Sequence, residues 1–369
     1  MGVSLALLGC GSFGSSFIRH WRAHPDVERF ALCDRDTARL AAVAAEHGVA
    51  ETYDSLEALA ASDIESVAIF SQHWLHAPQA VALLDAGKHV YSAVPAAASL
   101  DECEALVRAV ERSGRLYMMG ETSLFRAECV YCCQRAAAGD FGHLVHFDAE
   151  YLHDLDHGLR EVLRHRLGDD FSMSRTGEPP MRYPTHSIGF VMAICAALDP
   201  DVHVTSVSAL GTAIPGDDWY RTDTEWHNPY GNEIALLELS CGATARIAEM
   251  RRVGHPGAER ASRVYGTEGS FEFGANGATW CTKSGCEPVT PTLDFAELPP
   301  ALAADRGGHG GSHAHLVNEF VSAVRDGRQP KMNVWQAVRT LAPGHVAHES
   351  ALQGGKRLPV PDWGSGRSG

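Results

Sequence analysis

The segment Tyr183-Pro184-Thr185-His186 could perform acid–base chemistry. Pro184 favours the start of a helix, so the side chains of Tyr183 and His186 could project together from its first turn. An imidazole titrates near neutral pH and can take a hydroxyl proton, and a phenol can donate or relay one. The alternative is that both side chains are satisfied within the core. We interpret His186 and Tyr183 as candidate catalytic residues.

A second group of titratable residues follows a predicted strand and enters a long irregular segment at 150–157. His153 and His157, with the aspartates between them, could bind zinc or manganese. Two histidines spaced by four residues share a face only on a helix, and this pattern predicts a strand running into a loop. We therefore predict no metal site, and we interpret His153 and His157 as substrate-binding residues at a rim.

Two further loops carry side chains suited to a sugar. Trp226 and His227 combine a flat apolar face with a hydrogen-bonding group, which is what the C–H face and the hydroxyls of a saccharide require. A surface loop packed on another subunit is the competing interpretation. His309 lies between two pairs of glycines and is a candidate substrate contact in a flexible lid.

The N-terminal segment contains the pattern G-x-G-x-x-G directly after an apolar run. The first glycine makes a tight turn, the second admits a pyrophosphate and the third allows close helix packing, which leaves the phosphate at a helix N-terminus. Asp34 follows twenty residues after the third glycine, where a carboxylate can accept from both ribose hydroxyls, and this favours NAD over NADP. Arg35 could stack on adenine or hold a 2′-phosphate, so it leaves NADP open. The cofactor-binding candidates from this motif are Gly9, Gly11, Ser12, Phe13, Gly14, Asp34 and Arg35.

The elements around these residues predict an α/β protein with two domains. Residues 1–122 alternate short apolar runs with stretches of helical spacing, which predicts a doubly wound parallel Rossmann sheet. Residues 123–355 are predicted to form an α/β domain with a large, mostly antiparallel open sheet, in which 154–182 and 211–232 are long irregular segments. Residues 356–369 form a tail, Gly/Ser-rich and expected to be disordered from 364.

Composition excludes several classes of protein. The chain has 369 residues, of which 45% are apolar and 21% charged, as in ordinary globular proteins, and no apolar run is long enough to span a membrane. The net charge of −15 argues against nucleic acid and favours a neutral or cationic saccharide over a phosphorylated one. The first residues show no basic n-region and no small-residue cleavage site, which argues against a signal peptide, and ten scattered cysteines favour reduced thiols, so we expect a cytoplasmic protein.

With these motifs the chain resembles the Gfo/Idh/MocA oxidoreductases. In that family an N-terminal Rossmann domain is followed by an α/β domain with an open sheet that usually mediates oligomerisation. The resemblance covers nearly all of residues 1–355. It implies a homodimer or homotetramer formed through the C-terminal sheet. It also implies that the loop 71–76 and the turn that ends at residue 95 lie near the nicotinamide, which adds the cofactor-binding candidates Ser71, His73, His76 and Pro95.

The sequence departs from the family at the residue that carries the family's chemistry. Where the family has Glu-Lys-Pro, this chain has Ala93-Val94-Pro95, so the catalytic lysine is absent. Val94 cannot orient or polarise a substrate hydroxyl, and an enzyme here must draw its acid or base from elsewhere. His186 and Tyr183 are the replacement that we predict.

The lysine-free turn, the Tyr-Pro-Thr-His segment, the 150–157 segment and the glycine loop are similar to motifs of the NAD-dependent N-acetylgalactosaminidases, a redox-neutral branch of the family. That resemblance implies oxidation of the sugar at C3, loss of the C2 proton, elimination of the aglycone, addition of water and re-reduction. It also implies that Tyr151 is the base at C2; the alternative is a strand aromatic packed in the sheet.

Three functions remain open from the sequence. The first is an NAD-dependent oxidoreductase that abstracts hydride from a secondary hydroxyl of a sugar or cyclitol. The second is a redox-neutral NAD-dependent glycoside hydrolase. The third is a non-catalytic NAD-binding sensor, in which the lost lysine reflects lost chemistry.

Overall fold

The structure, a computed structural model, describes residues 2–168, 171–255 and 258–366, and it divides the chain into two compact units. Unit 1 comprises residues 1–126 and 293–338, and unit 2 comprises residues 127–292 and 339–369. The segment 293–338, which the sequence pattern assigned to the second domain, therefore belongs to the same unit as the N-terminal sheet. The last three residues of the predicted tail lie outside the described residues.

The helices and strands follow in chain order. The first half of the chain contains β1 (Val3–Leu8), α1 (Ser12–Ala23), β2 (Val27–Cys33), α2 (Thr37–His47), β3 (Thr52–Tyr53), α3 (Leu56–Ala61), β4 (Ser66–Ile69), α4 (His76–Asp85), β5 (His89–Ser92), α5 (Leu100–Ser113), β6 (Tyr117–Met119), α6 (Ala127–Ala137), β7 (Leu144–His153), α7 (Arg160–Leu167) and α8 (Thr185–Leu198). The second half contains β8 (Val204–Ala213), β9 (Tyr230–Leu239), β10 (Thr244–Met250), β11 (Ala258–Gly266), β12 (Gly269–Gly274), β13 (Gly277–Thr282), β14 (Gly285–Val289), α9 (Pro300–Ala303), α10 (Ser312–Asp326), α11 (Val334–Leu352) and β15 (Leu358–Pro359).

Unit 1 contains a six-stranded sheet in the order β3-β2-β1-β4-β5-β6, with every pair parallel. Helix α5 shows how local residues set the ends of a helix in this unit. Ser99 accepts a hydrogen bond from the Glu102 N–H at 3.1 Å, and Glu102 in turn accepts from the Ala98 N–H at 2.7 Å. Gly114 ends α5 in the left-handed conformation. The predicted doubly wound Rossmann sheet is confirmed.

The core of unit 1 includes a helix from the far end of the chain. Leu316, Val317 and Phe320 of α10 are fully buried in the cluster that contains Trp21 and Tyr91. The Phe320 ring lies 6.0 Å from the Trp21 ring and 5.8 Å from the Tyr91 ring, both edge to face. α10 is therefore an integral part of this unit.

Unit 2 contains a nine-stranded sheet in the order β14-β13-β12-β11-β7-β10-β9-β8-β15. Its neighbouring strands are antiparallel except β7 and β10, which pair in parallel at its centre. The large, mostly antiparallel sheet that the sequence predicts is confirmed. The hairpin β13–β14 was not predicted, because its polar and glycine-rich residues give little alternation.

The two segments predicted to be irregular pack against each other within unit 2. The first contains α7 and several short helical turns, and the second runs from the end of β8 to the start of β9 through turns and bends. Leu155 and Leu159 from the first segment form a small buried cluster with Trp219 and Tyr220 from the second. The long loops are thus built as one layer with a core of its own.

One expectation about the cysteines differs from the structure. Cys281 and Cys286, opposite each other on β13 and β14, form a disulfide, so the expectation of reduced thiols fails for this pair; the other eight cysteines are free. The first part of the predicted tail is held to unit 2, because β15 pairs with β8 and Asp362 forms a bidentate salt bridge with Arg339. Among the described residues, no helix combines the length and the apolar character needed to cross a bilayer.

Candidate functional site

The glycine-rich turn after β1 has the geometry of a dinucleotide-binding loop. Gly9 has φ of 101°, a conformation that favours glycine, and a Cβ there would lie 2.7 Å from the backbone of Phe70. A Cβ on Gly14 would lie 2.2 Å from the Gly9 carbonyl oxygen, so only glycine lets α1 approach the strand this closely. Gly11, in contrast, has no atom within 4 Å of where its Cβ would stand.

The residues of unit 1 fit the pyrophosphate of NAD. The open space beside Gly11 lies at the start of α1, which begins at Ser12 and has no side chain capping its first N–H groups. Such N–H groups and the positive end of the helix dipole bind a phosphate. Phe13, the next residue, lies edge to face with Phe17 and Phe70 and anchors the loop to the core. When bound, NAD would supply a hydride acceptor here.

Asp34 lies at the end of β2, beside the glycine-rich turn. Its carboxylate is buried and accepts hydrogen bonds from the Cys10 N–H at 2.8 Å and the Asp36 N–H at 2.9 Å. Each carboxylate oxygen has a second lone pair, so Asp34 can still accept from ribose hydroxyls. Arg35 is exposed, and Arg39, which the sequence pattern did not single out, lies 3.6 Å from the Asp34 carboxylate.

His76 joins the two loops that the family places near the nicotinamide. Its Nδ1 lies 2.8 Å from the Pro95 carbonyl oxygen and its Nε2 lies 3.0 Å from that of Ser71. The Val94–Pro95 peptide is cis, and the Ser71 hydroxyl donates to the Gln79 side chain at 2.6 Å. His76 therefore holds the loop after β4 against the turn after β5. His73 packs its ring against Trp74 in the same loop.

His309 lies in unit 1, beside the glycine-rich loop. Its ring is 6.0 Å from the Phe13 ring, and its Nδ1 is 2.8 Å from the Nε2 of His313. Burial, reinforced by the neighbouring His309 and His20, lowers the pKa of His313 to about 3, so this ring is neutral at ordinary pH. His309 has a positive φ of 43°, which the glycines around it help to accommodate.

Unit 2 brings three of the predicted residues together around one imidazole. The His186 ring, at the start of α8, lies 4.9 Å from the Tyr151 ring on β7 and 5.6 Å from the Tyr183 ring. The Tyr151 hydroxyl lies 2.8 Å from the Nδ1 of His153. His186 and Tyr151 are buried, whereas Tyr183 and His153 are half-buried. A set of four groups that can carry protons is therefore assembled from β7 and the first turn of α8.

A buried arginine that the sequence pattern did not single out supports this cluster. The Arg251 guanidinium lies 5.1 Å from the centre of the Tyr151 ring and donates to the Tyr151 carbonyl at 3.4 Å. It also donates to Glu249 at 2.8 Å. Burial opposes its charge, but the Glu249 carboxylate and the phenols of Tyr220 and Tyr151 raise the pKa of Arg251 above its usual value. A fixed cation thus lies against the face of Tyr151.

The other candidate residues of the 150–157 segment lie further out. His157 is exposed over nearly half of its side chain, and its Nδ1 lies 2.7 Å from the Asp154 carboxylate. The second oxygen of Asp154 accepts from the Val253 N–H at 3.0 Å. Across the described ranges of the chain, no group of three or more His, Cys, Asp or Glu residues is arranged to hold a metal ion.

Trp226 and His227 lie in the second long segment. The Trp226 indole donates to the Arg175 carbonyl at 3.3 Å, and the Arg182 guanidinium lies 5.2 Å from its ring centre. His227 is exposed, has a φ of 49° and contacts the Thr222 carbonyl through Nδ1 at 2.9 Å. Arg182 directly precedes Tyr183, so the stacked Trp226 is adjacent in structure to the segment that carries the ring cluster.

Two families and several solved structures are similar to this chain. Residues 3–121 match the oxidoreductase family with an NAD-binding Rossmann fold, Gfo/Idh/MocA, and residues 300–368 match the C-terminal domain of glycosyl hydrolase 109. The fold agrees with solved structures. An oxidoreductase from Agrobacterium radiobacter in complex with NAD⁺ is 18% identical, with a TM-score of 0.76 over 97% of this chain and 98% of that one. A levoglucosan dehydrogenase in complex with NADH is 17% identical, with a TM-score of 0.75 over 98% and 100%.

The N-terminal part of the chain is therefore similar to the Gfo/Idh/MocA oxidoreductases. Over its whole length the chain is similar to glycosyl hydrolase family 109 proteins. A glycosyl hydrolase family 109 protein from Streptomyces filamentosus is 28% identical over 404 residues, which is 100% of this chain and 79% of that protein. An alpha-N-acetylgalactosaminidase from Shewanella oneidensis is 25% identical over 99% of this chain and 85% of its own length.

Proposed function

We propose that this protein is a redox-neutral, NAD-dependent glycoside hydrolase. The observation that carries the proposal is the convergence of Tyr151 and Tyr183 on His186, with centroid distances of 4.9 and 5.6 Å, in a chain that has Val94 in place of the family's lysine. The full-length similarity to glycosyl hydrolase 109 proteins supports it.

In this proposal His186 and Tyr183 serve the hydroxyl that is oxidised. His186 is a base that takes the proton of the C3 hydroxyl, and Tyr183 holds the same oxygen by a hydrogen bond. Bound NAD supplies the acceptor for the hydride and returns it at the end of the cycle. Because the ketone formed at C3 acidifies the hydrogen on C2, the next step requires a second base.

Tyr151 is the proposed base at C2. Its phenol contacts His153, which can relay a proton, and the Arg251 guanidinium over its ring stabilises the negative charge that develops on the phenol. Loss of the C2 proton to Tyr151 would expel the aglycone from C1 with a proton from solvent, and water would then add at C1. Tyr151 would return the proton to C2, and His186 would return its proton to the C3 oxygen when that carbon is reduced again. Atoms balance as a hydrolysis with no net redox change.

The remaining candidate residues are proposed to bind the saccharide or the cofactor. Trp226 offers a stacking face, and His153, His157, His227 and His309 offer hydrogen bonds. Asp34 is proposed to select NAD by accepting from the adenosine ribose.

Isotope exchange tests this function directly. The purified protein is incubated in D₂O with a panel of nitrophenyl glycosides that includes an α-N-acetylgalactosaminide, and nitrophenol, NADH and deuterium at C2 of the released sugar are measured. We expect nitrophenol release and C2 deuteration with no net NADH, and we expect His186→Gln to abolish nitrophenol release and C2 deuteration while it still binds NAD.

Two other outcomes would replace the proposal. Accumulation of NADH in proportion to product would indicate a sugar dehydrogenase. NAD binding without turnover on any glycoside, sugar or cyclitol would indicate a sensor. Unchanged turnover in the His186→Gln variant would remove this histidine from the mechanism.

The open sheet of unit 2 supports a homo-oligomer, which we propose to be a dimer or tetramer. Leu210 on β8 pairs with Ile234 on β9, and both are exposed together with Leu236. Leu210 and Leu236 expose 64% and 59% of their surface, which is a large apolar area for a free face. Light scattering on wild type and on Leu236→Glu tests it: a monomeric wild type contradicts the proposal.

We also propose that the protein is cytoplasmic. The eight free cysteines support it, and the Cys281–Cys286 disulfide is a feature of oxidising compartments. Cell fractionation locates the protein, and thiol labelling of Cys281 and Cys286 shows whether the disulfide is formed there. Together they decide between the cytoplasm and an oxidising compartment.

A further inference from the structure

Two glutamates interrupt the apolar inner face of the central strands in unit 2. Glu233 on β9 and Glu249 on β10 are direct register partners, and both are completely buried. The neighbouring inward positions are apolar: Ala235 and Leu237 on β9, and Ala245 and Ile247 on β10. Carboxylates directly opposite each other on one face of a sheet repel, and burial adds a desolvation cost. Such a departure from the local pattern indicates a function.

Each carboxylate has a partner that compensates its charge or its hydrogen-bonding capacity. Glu249 accepts from the Arg251 guanidinium at 2.8 Å, and Glu233 contacts the Nδ1 of His348 at 2.7 Å. Arg251 and His348 are themselves buried. One oxygen of Glu249 is thus occupied by Arg251, and one oxygen of Glu233 by His348 of α11. The second oxygen of each glutamate is left for another partner.

The second oxygens hold the segment that carries Tyr183 and His186. The Met181 N–H donates to the Oε2 of Glu233 at 2.8 Å, and the Ser187 hydroxyl donates to the Oε1 of Glu249 at 2.5 Å. Met181 lies two residues before Tyr183, and Ser187 directly follows His186. The two glutamates therefore bind the chain on both sides of the candidate acid–base pair.

This double attachment matters because the segment between the two bonds is not regular. Tyr183 has φ of −122° and ψ of 59°, between a short turn that ends at Arg182 and the start of α8 at Thr185. Pro184 provides no backbone N–H. The ring positions therefore depend strongly on what fixes the two ends.

Glu249 also connects His186 with Tyr151. Through Ser187 it fixes the first turn of α8, and through Arg251 it fixes the guanidinium that lies over the Tyr151 ring and donates to the Tyr151 carbonyl. A single carboxylate thus contacts the supports of both rings, which stand 4.9 Å apart.

We infer that Glu249 and Glu233 are positioning residues for the acid–base cluster: Glu249 sets the spacing of His186 from Tyr151, and Glu233 fixes the chain before Tyr183. The inference rests on the proposed function in that it assigns proton transfer to those rings. Neither glutamate takes part in the proton transfer itself.

The test compares Ser187→Ala, Glu249→Gln and their double variant with Ser206→Ala. Ser206 is a matched control, because its hydroxyl also donates to a strand glutamate that contacts an arginine, Glu238 with Arg357, on β9 and outside the cluster. Ser187→Ala removes one hydroxyl and is the mildest change. It keeps the test decisive if the glutamate variants fail to fold.

We expect Ser187→Ala and Glu249→Gln each to lower kcat roughly 10- to 100-fold, because a displacement of about 1 Å in a reacting group has an effect of that size. KM, NAD binding and the melting temperature should change little in Ser187→Ala. The double variant should lose no more than the worse single variant, since both changes break one connection. The limb of the pH–kcat profile that belongs to His186 should shift, and Ser206→Ala should behave as wild type.

Several results would overturn the inference. These are an unchanged kcat in Ser187→Ala, additive losses in the double variant, or losses that follow only the fraction of folded protein. If wild type turns over no glycoside, the proposed function fails and the inference is decided separately. In that case the His186 ring resonances of histidine-labelled protein are titrated by NMR: a change in Ser187→Ala but not in Ser206→Ala supports it, and identical titrations refute it.

Discussion

The buried imidazole of His313 makes the stability of unit 1 dependent on pH. The ring stacks on Phe17 at 4.0 Å, and its Nε2 lies 2.8 Å from His309. Burial is the largest cause of its low pKa, His309, His20 and Arg19 lower it further, and Asp305 opposes them. The pKa falls from 6.5 to about 3, so the unfolded chain binds a proton that the folded chain does not. The neutral His313 ring therefore makes its full contribution to the free energy of unfolding above pH 6.5, and this contribution is lost as the pH falls towards 3.

The magnitude follows from the shift. Between about pH 7.5 and pH 5 the unfolded ring becomes protonated over roughly 1.5 units while the folded ring stays neutral, which corresponds to about 2 kcal/mol. Burial also lowers the pKa of His89 to about 4, so wild type should lose more than this amount in total.

Urea unfolding at the two pH values measures the loss, with fluorescence as the readout because Trp21 is fully buried in the same core. His313→Gln removes the titrating ring and should reduce the pH-dependent loss of unfolding free energy by about 2 kcal/mol, whatever its effect at neutral pH. His143→Gln, an exposed histidine of unit 2, should retain the wild-type difference. Equal losses in wild type and His313→Gln would refute the reasoning.

Three other variants test the cofactor-binding residues of unit 1 and the proposed base of unit 2. Asp34→Ala should weaken NAD binding roughly tenfold or more, because hydrogen bonds to a charged acceptor are lost; calorimetry measures it, and an unchanged Kd counts against a ribose contact. Gly14→Ala should prevent native folding, since the new Cβ would lie 2.2 Å from the Gly9 carbonyl, and a native circular dichroism spectrum would contradict this. Tyr151→Phe should lower kcat roughly 100-fold or more while NAD affinity is retained; C2 deuteration at the wild-type rate would exclude Tyr151 as the base.

The sequence predicts the dinucleotide half in detail because its signals are local. The glycine pattern depends on residues only a few positions apart, and Gly9 has the positive φ that its tight turn requires. α7 was missed for a local reason too, since only three of its eight residues, REVLRHRL, are apolar.

The polar supports of the unit 2 cluster could not be predicted in the same way. Glu233 and Glu249 are charged residues in alternating strands, a pattern that indicates solvent exposure until the register shows which face is inward. Arg251 directly follows β10 and faces Tyr151 only because β7 and β10 pair in parallel, a contact between residues 100 positions apart. The proximity of Tyr183 and His186 was predicted from helical spacing, but α8 begins only at Thr185 and Tyr183 lies before it with φ of −122° and ψ of 59°. The two rings are close because the chain turns at Pro184, not because both project from one helix.

The return of the chain to unit 1 through α10 has a consequence for synthesis on the ribosome. The strands and helices of residues 1–126 emerge about 190 residues before α10, which at roughly 5–20 residues per second is a delay of about 10–40 s. During that interval Trp21 and Tyr91 lack Phe320, so the nascent Rossmann half exposes apolar surface that the finished protein buries. We therefore expect a truncated chain that ends near residue 126 to expose the apolar surface that α10 covers and to aggregate more readily than the full chain.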